Sequence, residues 1–236
     1  IVLRLFEKAE AIIGIEDNKP KAIDALSFEC NGNNRINVMP LSTRYPQGGE
    51  RRLISSVTGR QINSHILPAD AGVIVLNIAT IIAIYEAVKM NMPLVHRVVT
   101  LTGDGVNEPG NMDVPLGISH KYLADECGGI KDSTVKIISG GPMMGMAMNS
   151  LDYPVIKTSS SILAITHDDV EKMETSACIR CGRCVAACPE TLVPQLMAQA
   201  VINKNYEQFE KLYGMECIEC GCCTYVCPAK RPLTQT

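Results

Sequence analysis

From Ile1 to about Met92, short apolar runs alternate with amphipathic stretches, and polar turns separate them. Apolar runs this short, bounded by turn residues, suit strands of a parallel sheet buried on both faces. Ala11 to Ile15 (AIIGI), Arg35 to Leu41 and Gly72 to Leu76 are predicted as such strands. Helices are predicted around them. One closes over Ile1 to Ala9, and another runs from Pro20 to about Phe28 after the polar turn Glu16-Asp17-Asn18-Lys19-Pro20, which puts proline at the first helical position. The loop Ser42 to Gly48 leads into a helix from Gly49 to Val57, and Ile78 to Asn91 forms another. Such alternation predicts an α/β domain with helices packed on a parallel sheet.

From Leu94 the pattern changes. Val95 to Thr102 reads as a strand, Gly103 to Asn111 as a hairpin region, and a short strand lies around Val114. Ser119 to Cys127 reads as a helix capped by Ser119 and ended by Gly128-Gly129. Thr134 to Ile138 and Val155 to Ile165 add strands, which makes a small α+β unit. Asp168 to Glu174 opens a last domain, in which Leu192 to Tyr213 is mostly helical. The expected division is 1–94, 95–166 and 167–236. The chain reads as cut at both ends, with Ile1 to Ala11 entering a domain partway and Leu233 to Thr236 lacking a terminator. No signal peptide is read at Ile1.

Composition narrows the function. With 46% hydrophobic and 20% charged residues among 236, wholesale disorder is excluded. A net charge of −3 and a pI near 5.9 argue against a nucleic-acid or polybasic membrane surface. Aromatics are 4% with no Trp, so platforms for stacking bases are scarce. The longest apolar stretch, Ala71 to Tyr85, is shorter than the ~20 residues of a membrane span. Cysteine is the exception to this ordinary composition. There are 11, an odd number, and their spacing is that of a metal site in a reducing compartment.

One internal repeat carries the chemistry. Cys178-x2-Cys181-x2-Cys184-x3-Cys188-Pro189 recurs as Cys217-x2-Cys220-x2-Cys223-x3-Cys227-Pro228. Three thiolates at this spacing on a tight loop reach three corners of a cubane, and in two-cluster ferredoxins the fourth cysteine ligates the other cluster. One cluster then uses Cys178, Cys181, Cys184 and Cys227, and the other Cys217, Cys220, Cys223 and Cys188. Gly182 and Gly221 leave room for amides near the sulfides. Structural zinc is the alternative, but it asks for two knuckles of two rather than this run given twice. Cys222 is a spare thiol expected to pack, and Cys30 and Cys127 are expected to be ordinary buried thiols on helical faces.

An electron wire needs a terminal in the α/β part. In Arg44-Tyr45-Pro46-Gln47-Gly48-Gly49-Glu50 the glycines permit close backbone approach, and amides opening the next helix can receive a phosphate; an ordinary turn is the alternative. Glu16-Asp17-Asn18 and Asn77 each follow a predicted strand, at the end where open α/β sheets place ligands; a solvated turn and a helix cap are their structural alternatives. Surface or cap roles are expected for the four histidines. The methionines of Gly140 to Met148 are expected to make flexible apolar contacts.

Together, I-E-D-N-K-P (Ile15 to Pro20), Y-P-Q-G-G-E (Tyr45 to Glu50), V-T-L-T-G (Val99 to Gly103), G-G-P-M-M-G (Gly140 to Gly145) and the cysteine repeat resemble the C subunit of Rnf electron-transport complexes. More distantly, they resemble the flavin subunit of respiratory complex I. The resemblance implies three parts: a parallel-sheet, flavodoxin-like FMN and NADH domain, a soluble-ligand-binding β-grasp domain, and an α-helical dicluster ferredoxin domain with two 4Fe–4S clusters. By position it implies that Tyr45, Gly48, Gly49 and Glu50 line the flavin and nicotinamide site and that Asn77 contacts FMN. Glu16, Asp17 and Asn18 match the nucleotide-side loop more loosely. The family's glycine-rich flavin loop would precede Ile1.

The implied activity is hydride exchange between NAD(H) and FMN, followed by one-electron transfer to the clusters. The implied setting is an ion-translocating ferredoxin:NAD oxidoreductase, peripheral on the cytoplasmic side of the bacterial inner membrane. Its partners there are the complex's ferredoxin-type and membrane subunits, with ferredoxin reached indirectly. Two alternatives are a soluble cobalamin reductase of similar architecture and a non-catalytic ferredoxin-like relay adaptor.

Overall fold

The computed structural model describes residues 1–168 and 173–236, which form two compact units, Ile1–Tyr85 and Glu86–Thr236. The expected opening of the last domain at Asp168 to Glu174 lies in part outside the described residues.

In the first unit, α1 (Val2–Leu5) precedes β1 (Ala11–Glu16), α2 (Pro20–Glu29), β2 (Ile36–Leu41) and α3 (Glu50–Thr58). Strands β1 and β2 pair in parallel, with Ala11 opposite Ile36 and Glu16 opposite Leu41. Pro20 opens α2, where a missing N–H costs nothing. Gly14 is bare for a packing reason. A Cβ there would meet Leu41 Cδ1 at 2.8 Å and Leu53 Cδ1 at 3.1 Å, so glycine lets α3 lie against the sheet. Ile54 of α3 is fully buried.

Two expectations fail in this unit. The first helix is shorter than Ile1 to Ala9, because the Arg35 guanidinium takes the carbonyls of Leu3, Phe6 and Ala9 at 3.0, 2.7 and 2.8 Å. Gly72 to Leu76 forms no strand. The groups a ladder would use are engaged locally: Arg60 binds the carbonyls of Ala71 and Gly72, and the Val73 amide donates to Pro68 at 2.9 Å. The apolar run is real, but its backbone is already satisfied as a turn. The following helix, α4 (Ile78–Met90), forms as expected.

The second unit carries β3 (His96–Thr102), β4 (Gly110–Pro115), α5 (His120–Glu126), β5 (Lys136–Ser139), β6 (Met146–Met148) and β7 (Ser161–Ile165). The sheet order is β4-β3-β7-β5-β6, with β3 parallel to β7 and the other pairs antiparallel. Alternate residues of β3, Val99 and Leu101, join Val114, Leu123 and Ile162 in one core. Ser119 caps α5 by accepting the Tyr122 amide at 3.3 Å. Gly103 sits at φ +111°, and a Cβ there would lie 1.9 Å from the Ala164 carbonyl oxygen. Only glycine permits that approach of β3 to β7.

Val155 to Ile165 pairs as a strand only over Ser161–Ile165; Val155 is buried, its amide donating to Ile118 at 2.7 Å. Strand β6 was not anticipated, because its residues sit in the glycine- and methionine-rich segment. His120 is not a surface residue either. It is 3% exposed, with Nδ1 2.6 Å from the Tyr153 carbonyl.

The cysteine-rich part is helical, comprising α6 (Arg183–Ala186), α7 (Pro194–Ile202), α8 (Tyr206–Lys211), a 3-10 turn at Gly214–Glu216, and α9 (Cys222–Tyr225). Among the described residues no helix is long and apolar enough to cross a membrane.

Candidate metal centre and nucleotide-side loops

The two cysteine motifs fold alike because their backbones are forced alike. Arg180 and Glu219 sit at φ +56° and +53°, Gly182 and Gly221 at +75° and +81°, and Thr191 and Lys230 at +55° and +52°. Each motif loops tightly through its first two cysteines, then enters a single helical turn, α6 or α9, that carries the third. These two turns contact each other.

The fourth cysteine of the first motif leaves its own loop. Cys188 lines a cavity of about 300 Å³ together with Cys217, Cys220 and Cys223 of the second motif, between apolar walls that include Leu192 and Met197. Amides of Leu192 and Glu219 point at Cys188 Sγ and Cys217 Sγ, each at 3.4 Å. Cys217 is exposed as a residue, yet burial pushes its thiol up; the Glu219 amide opposes this, and neighbouring Cys223, Cys188 and Cys220 add to the rise. Burial likewise pushes the Cys184 and Cys220 thiols up.

Among the described residues, no three His, Cys, Asp or Glu side chains converge on a single-ion site. Four sulfurs around a cavity, with amides aimed at two of them, fit a polynuclear iron–sulfur group bound through thiolates. Of the remaining motif cysteines, Cys184 and Cys227 are buried, and Cys178 and Cys181 are exposed. Cys222 lines the same cavity and hydrogen-bonds Cys220. Cys127 is buried at the end of α5, where burial pushes its thiol up, whereas Cys30 ends α2 half-buried.

Two side chains near these sulfurs were missed by the motif reading. Gln195 Oε1 lies 3.1 Å from Cys184 Sγ, and Thr234 Oγ1 lies 3.4 Å from Cys223 Sγ. A signal for both was present, since they stand at the same offset within the two repeats. The methionine segment divides. Met143 lies against Gly221, its carbonyl oxygen and methyl 3.4 and 3.6 Å from where a Cβ would stand, while Met144 and Met146 are exposed.

In the first unit, the parallel pairing brings Glu16-Asp17-Asn18 and the loop after β2 to the same end of the strands. Asp17 Oδ1 accepts from the Thr43 amide at 3.1 Å and its hydroxyl at 2.6 Å, and these bonds hold the Asp17 carboxyl below its usual range. Glu16 pairs with Lys19 at 2.6 Å, and Lys19 also donates to Asn18 Oδ1. The Tyr45-Pro46 bond is cis, and Gly49 turns back to donate to the Pro46 carbonyl at 2.9 Å. Gly49 is then the N-cap of α3, and Glu50 its first residue. Beside Gly48 nothing lies within 4 Å of a would-be Cβ, so a ligand can approach the backbone there. Asn77 follows no strand. It caps α4, its Oδ1 accepting the Ala79 amide at 2.9 Å.

Comparison with known proteins agrees with this division of chemistry. Residues 1–86 match the Nuo51 FMN-binding domain, residues 98–147 the SLBB domain, and residues 171–229 the 4Fe-4S dicluster domain. The class is therefore a redox protein that joins a flavin-binding module to an iron–sulfur module. The C subunit of the proton-translocating ferredoxin:NAD(+) oxidoreductase complex of Clostridium ljungdahlii is 48% identical over 198 residues, 84% of this chain and 43% of the relative. The C subunit of the Na(+)-translocating complex of Acetobacterium woodii is 42% identical, over 80% of this chain and 43% of its own length. Its counterpart in the ion-translocating oxidoreductase complex of Yersinia enterocolitica is 39% identical, over 83% of this chain and 28% of its own length. This chain belongs to that family of C subunits. It spans less than half the length of these relatives.

Proposed function

We propose that the chain is the electron-transferring part of the C subunit in a membrane-bound ion-translocating ferredoxin:NAD oxidoreductase, passing electrons between NAD(H), FMN and two 4Fe–4S clusters. The observation that carries this reading is the cavity shared by Cys188 with Cys217, Cys220 and Cys223. Mixing the motifs in this way is what crossed ligation in a two-cluster ferredoxin requires. Those four cysteines hold one cluster, and Cys178, Cys181, Cys184 and Cys227 hold the other. Bound clusters supply one-electron transfer; the chain holds them, donates hydrogen bonds to their thiolates and limits water.

The working parts are 1–94 for flavin and nicotinamide, 95–166 as the intervening domain and 167–236 for the clusters. Tyr45, Gly48, Gly49 and Glu50, with Glu16 to Asn18 at the same strand ends and Asn77 at α4, form the chain's share of the FMN and NAD(H) site. The open space beside Gly48 supports this. The protein sits at the cytoplasmic face of the bacterial inner membrane through contacts with the complex's membrane and ferredoxin-type subunits.

The test is ligand exchange across motifs. Cys188→Ser is expected to damage the cluster of Cys217, Cys220 and Cys223, although Cys188 lies in the other motif. Damage confined to the site of Cys178, Cys181 and Cys184 refutes the assignment. Anaerobically reconstituted protein should carry about eight iron per chain. In the full-length protein, Glu50→Gln should slow NADH-dependent flavin reduction more than about tenfold, ~1.4 kcal/mol in barrier, while dithionite still reduces the clusters. Unchanged flavin reduction would leave Glu50 as a helix-dipole partner only.

A further inference from the structure

We infer that Thr234 and Gln195 are counterpart positioning residues, each setting the reduction potential of the cluster whose third motif cysteine it touches. The inference rests on the cluster reading above and goes beyond it. The repeats are offset by 39 positions, and Gln195 and Thr234 stand at that offset from each other, outside both cysteine motifs. Each brings a polar side-chain atom to the equivalent sulfur: Gln195 Oε1 to Cys184 Sγ at 3.1 Å, and Thr234 Oγ1 to Cys223 Sγ at 3.4 Å. The fold thus makes the same second contact in both halves, with an amide in one and a hydroxyl in the other.

A thiolate that ligates iron keeps no proton. Each contact then persists only with the side chain as donor, through the amide NH2 of Gln195 or the hydroxyl of Thr234. When a cluster takes up one electron its thiolates become more negative, and no bond to the chain forms or breaks. A hydrogen bond to the sulfur therefore favours the reduced form and raises the potential.

The two halves are not equally committed. The Thr234 amide donates to Thr224 Oγ1 at 2.9 Å, and Thr224 Oγ1 lies 2.9 Å from Thr234 Oγ1. With its oxygen accepting from the amide, Thr224 can give its proton to the Thr234 oxygen, which leaves the Thr234 proton for sulfur. Such a directed chain strengthens each link. The counterpart of Thr224 in the first repeat is Val185, which has no hydroxyl. Thr224 thus offers a donor to the Thr234 oxygen that favours donation toward Cys223, whereas Val185 offers none behind the Gln195 amide. The cluster of Cys217, Cys220 and Cys223 receives the larger rise from this device.

The experiment is a mediated redox titration of the full-length, reconstituted protein, followed by electron paramagnetic resonance. Signals are assigned by which cluster Cys188→Ser removes. Thr234→Val is expected to lower the midpoint of the Cys223 cluster alone. At the wild-type midpoint its reduced-to-oxidised ratio should fall about three- to tenfold, tenfold being 59 mV for one electron. Thr234→Ser should restore it, Thr224→Val should lower the same midpoint by less, and Gln195→Leu should move only the other cluster. Unmoved midpoints in Thr234→Val at full iron content, or equal shifts of both clusters, overturn the inference. If Thr234→Val loses iron, Thr224→Val decides: an unmoved Cys223 midpoint there overturns it as well. Wild-type protein that takes up zinc and no iron would instead overturn the cluster reading itself.

Discussion

Two sheets in this chain are built from similar parts and buried to very different depths. Around β3, β4, β5 and β7, with α5 laid across them, Val99, Leu101, Leu123 and Ile162 are wholly shielded from solvent. Around β1 and β2, Ile54 alone among the apolar residues of the first unit is shielded to that depth, Leu41 keeps 9% exposure, and Phe28, Leu67, Ile74 and Ile78 stand exposed. Within residues 1–85 the ladder has two strands, whereas five strands and a helix enclose a core in the second unit. Yet both sheets tie off a parallel strand pair in the same way. Asp17 accepts from the amide and hydroxyl of Thr43, and Asp104 accepts from the amide and hydroxyl of Thr166. Local clasps are thus shared by the two sheets, and depth of burial is where they differ.

The contrast can be broken most severely at Gly103. Gly103→Ala forces a Cβ into the Ala164 carbonyl at positive φ, so a loss on the order of 4 kcal/mol or more is expected in urea unfolding followed by amides of β3 and β7. A loss under ~1 kcal/mol would show that these strands separate cheaply. A truncation pair sharpens the contrast. Leu101→Ala should fall in the upper part of the ~2–5 kcal/mol range for buried aliphatics, and Ile54→Ala in the lower part, because a thin shell collapses around the gap. Equal losses would mean that the first unit is as tightly packed as the second. Asn77→Ala should cost about 1 kcal/mol by uncapping α4, visible as fraying of its first turn in hydrogen exchange.

The smallest effect is on pH dependence. The Thr43 bonds hold the Asp17 carboxyl below its ordinary value of about 3.9, and those of Thr166 do the same for Asp104. A depressed folded-state value gives stability that is present above the unfolded value and lost as pH falls through the folded one. Melting temperatures between about pH 5 and pH 2 should therefore decline less steeply in Asp17→Asn and Asp104→Asn than in the parent protein. Parallel declines would show that these clasps do not respond to acid.

How much of this was legible in the sequence depended on whether the signal was local. Pro20, Ser119 and the glycines after α5 announce helix ends through chemistry confined to a few residues, and the structure follows them. The β3–β4 pairing is announced by a run rich in Val and Thr followed by a hairpin segment rich in Gly, Pro and Asn. Gly72 to Leu76 misled because apolar runs report burial rather than pairing, and Arg60, twelve residues before Gly72, had claimed the carbonyls. Strand β6 was hidden because Gly145 and the methionines look like a loop until β5 supplies a partner. In the cysteine-rich part, the two motifs were readable from spacing alone. Thr234 and Gln195 were not, since nothing in their own neighbourhood marks them, and only superposing the two repeats does so.

Cys188 reaching into the cavity of the second motif has a consequence for the unfolded chain. A cluster bound there ties position 188 to position 217 and closes a loop of about 30 residues that contains α7 and α8. Such a tie removes conformations from the disordered ensemble as a disulfide does, on the order of 3–4 kcal/mol by loop entropy. A bound cluster is then a cross-link as well as an electron carrier. With a cluster held by Cys188 and Cys217, the segment between the motifs would owe part of its persistence to a bond made at neither of its helices, and stripping the iron should loosen α7 and α8 before it disturbs β3 to β7.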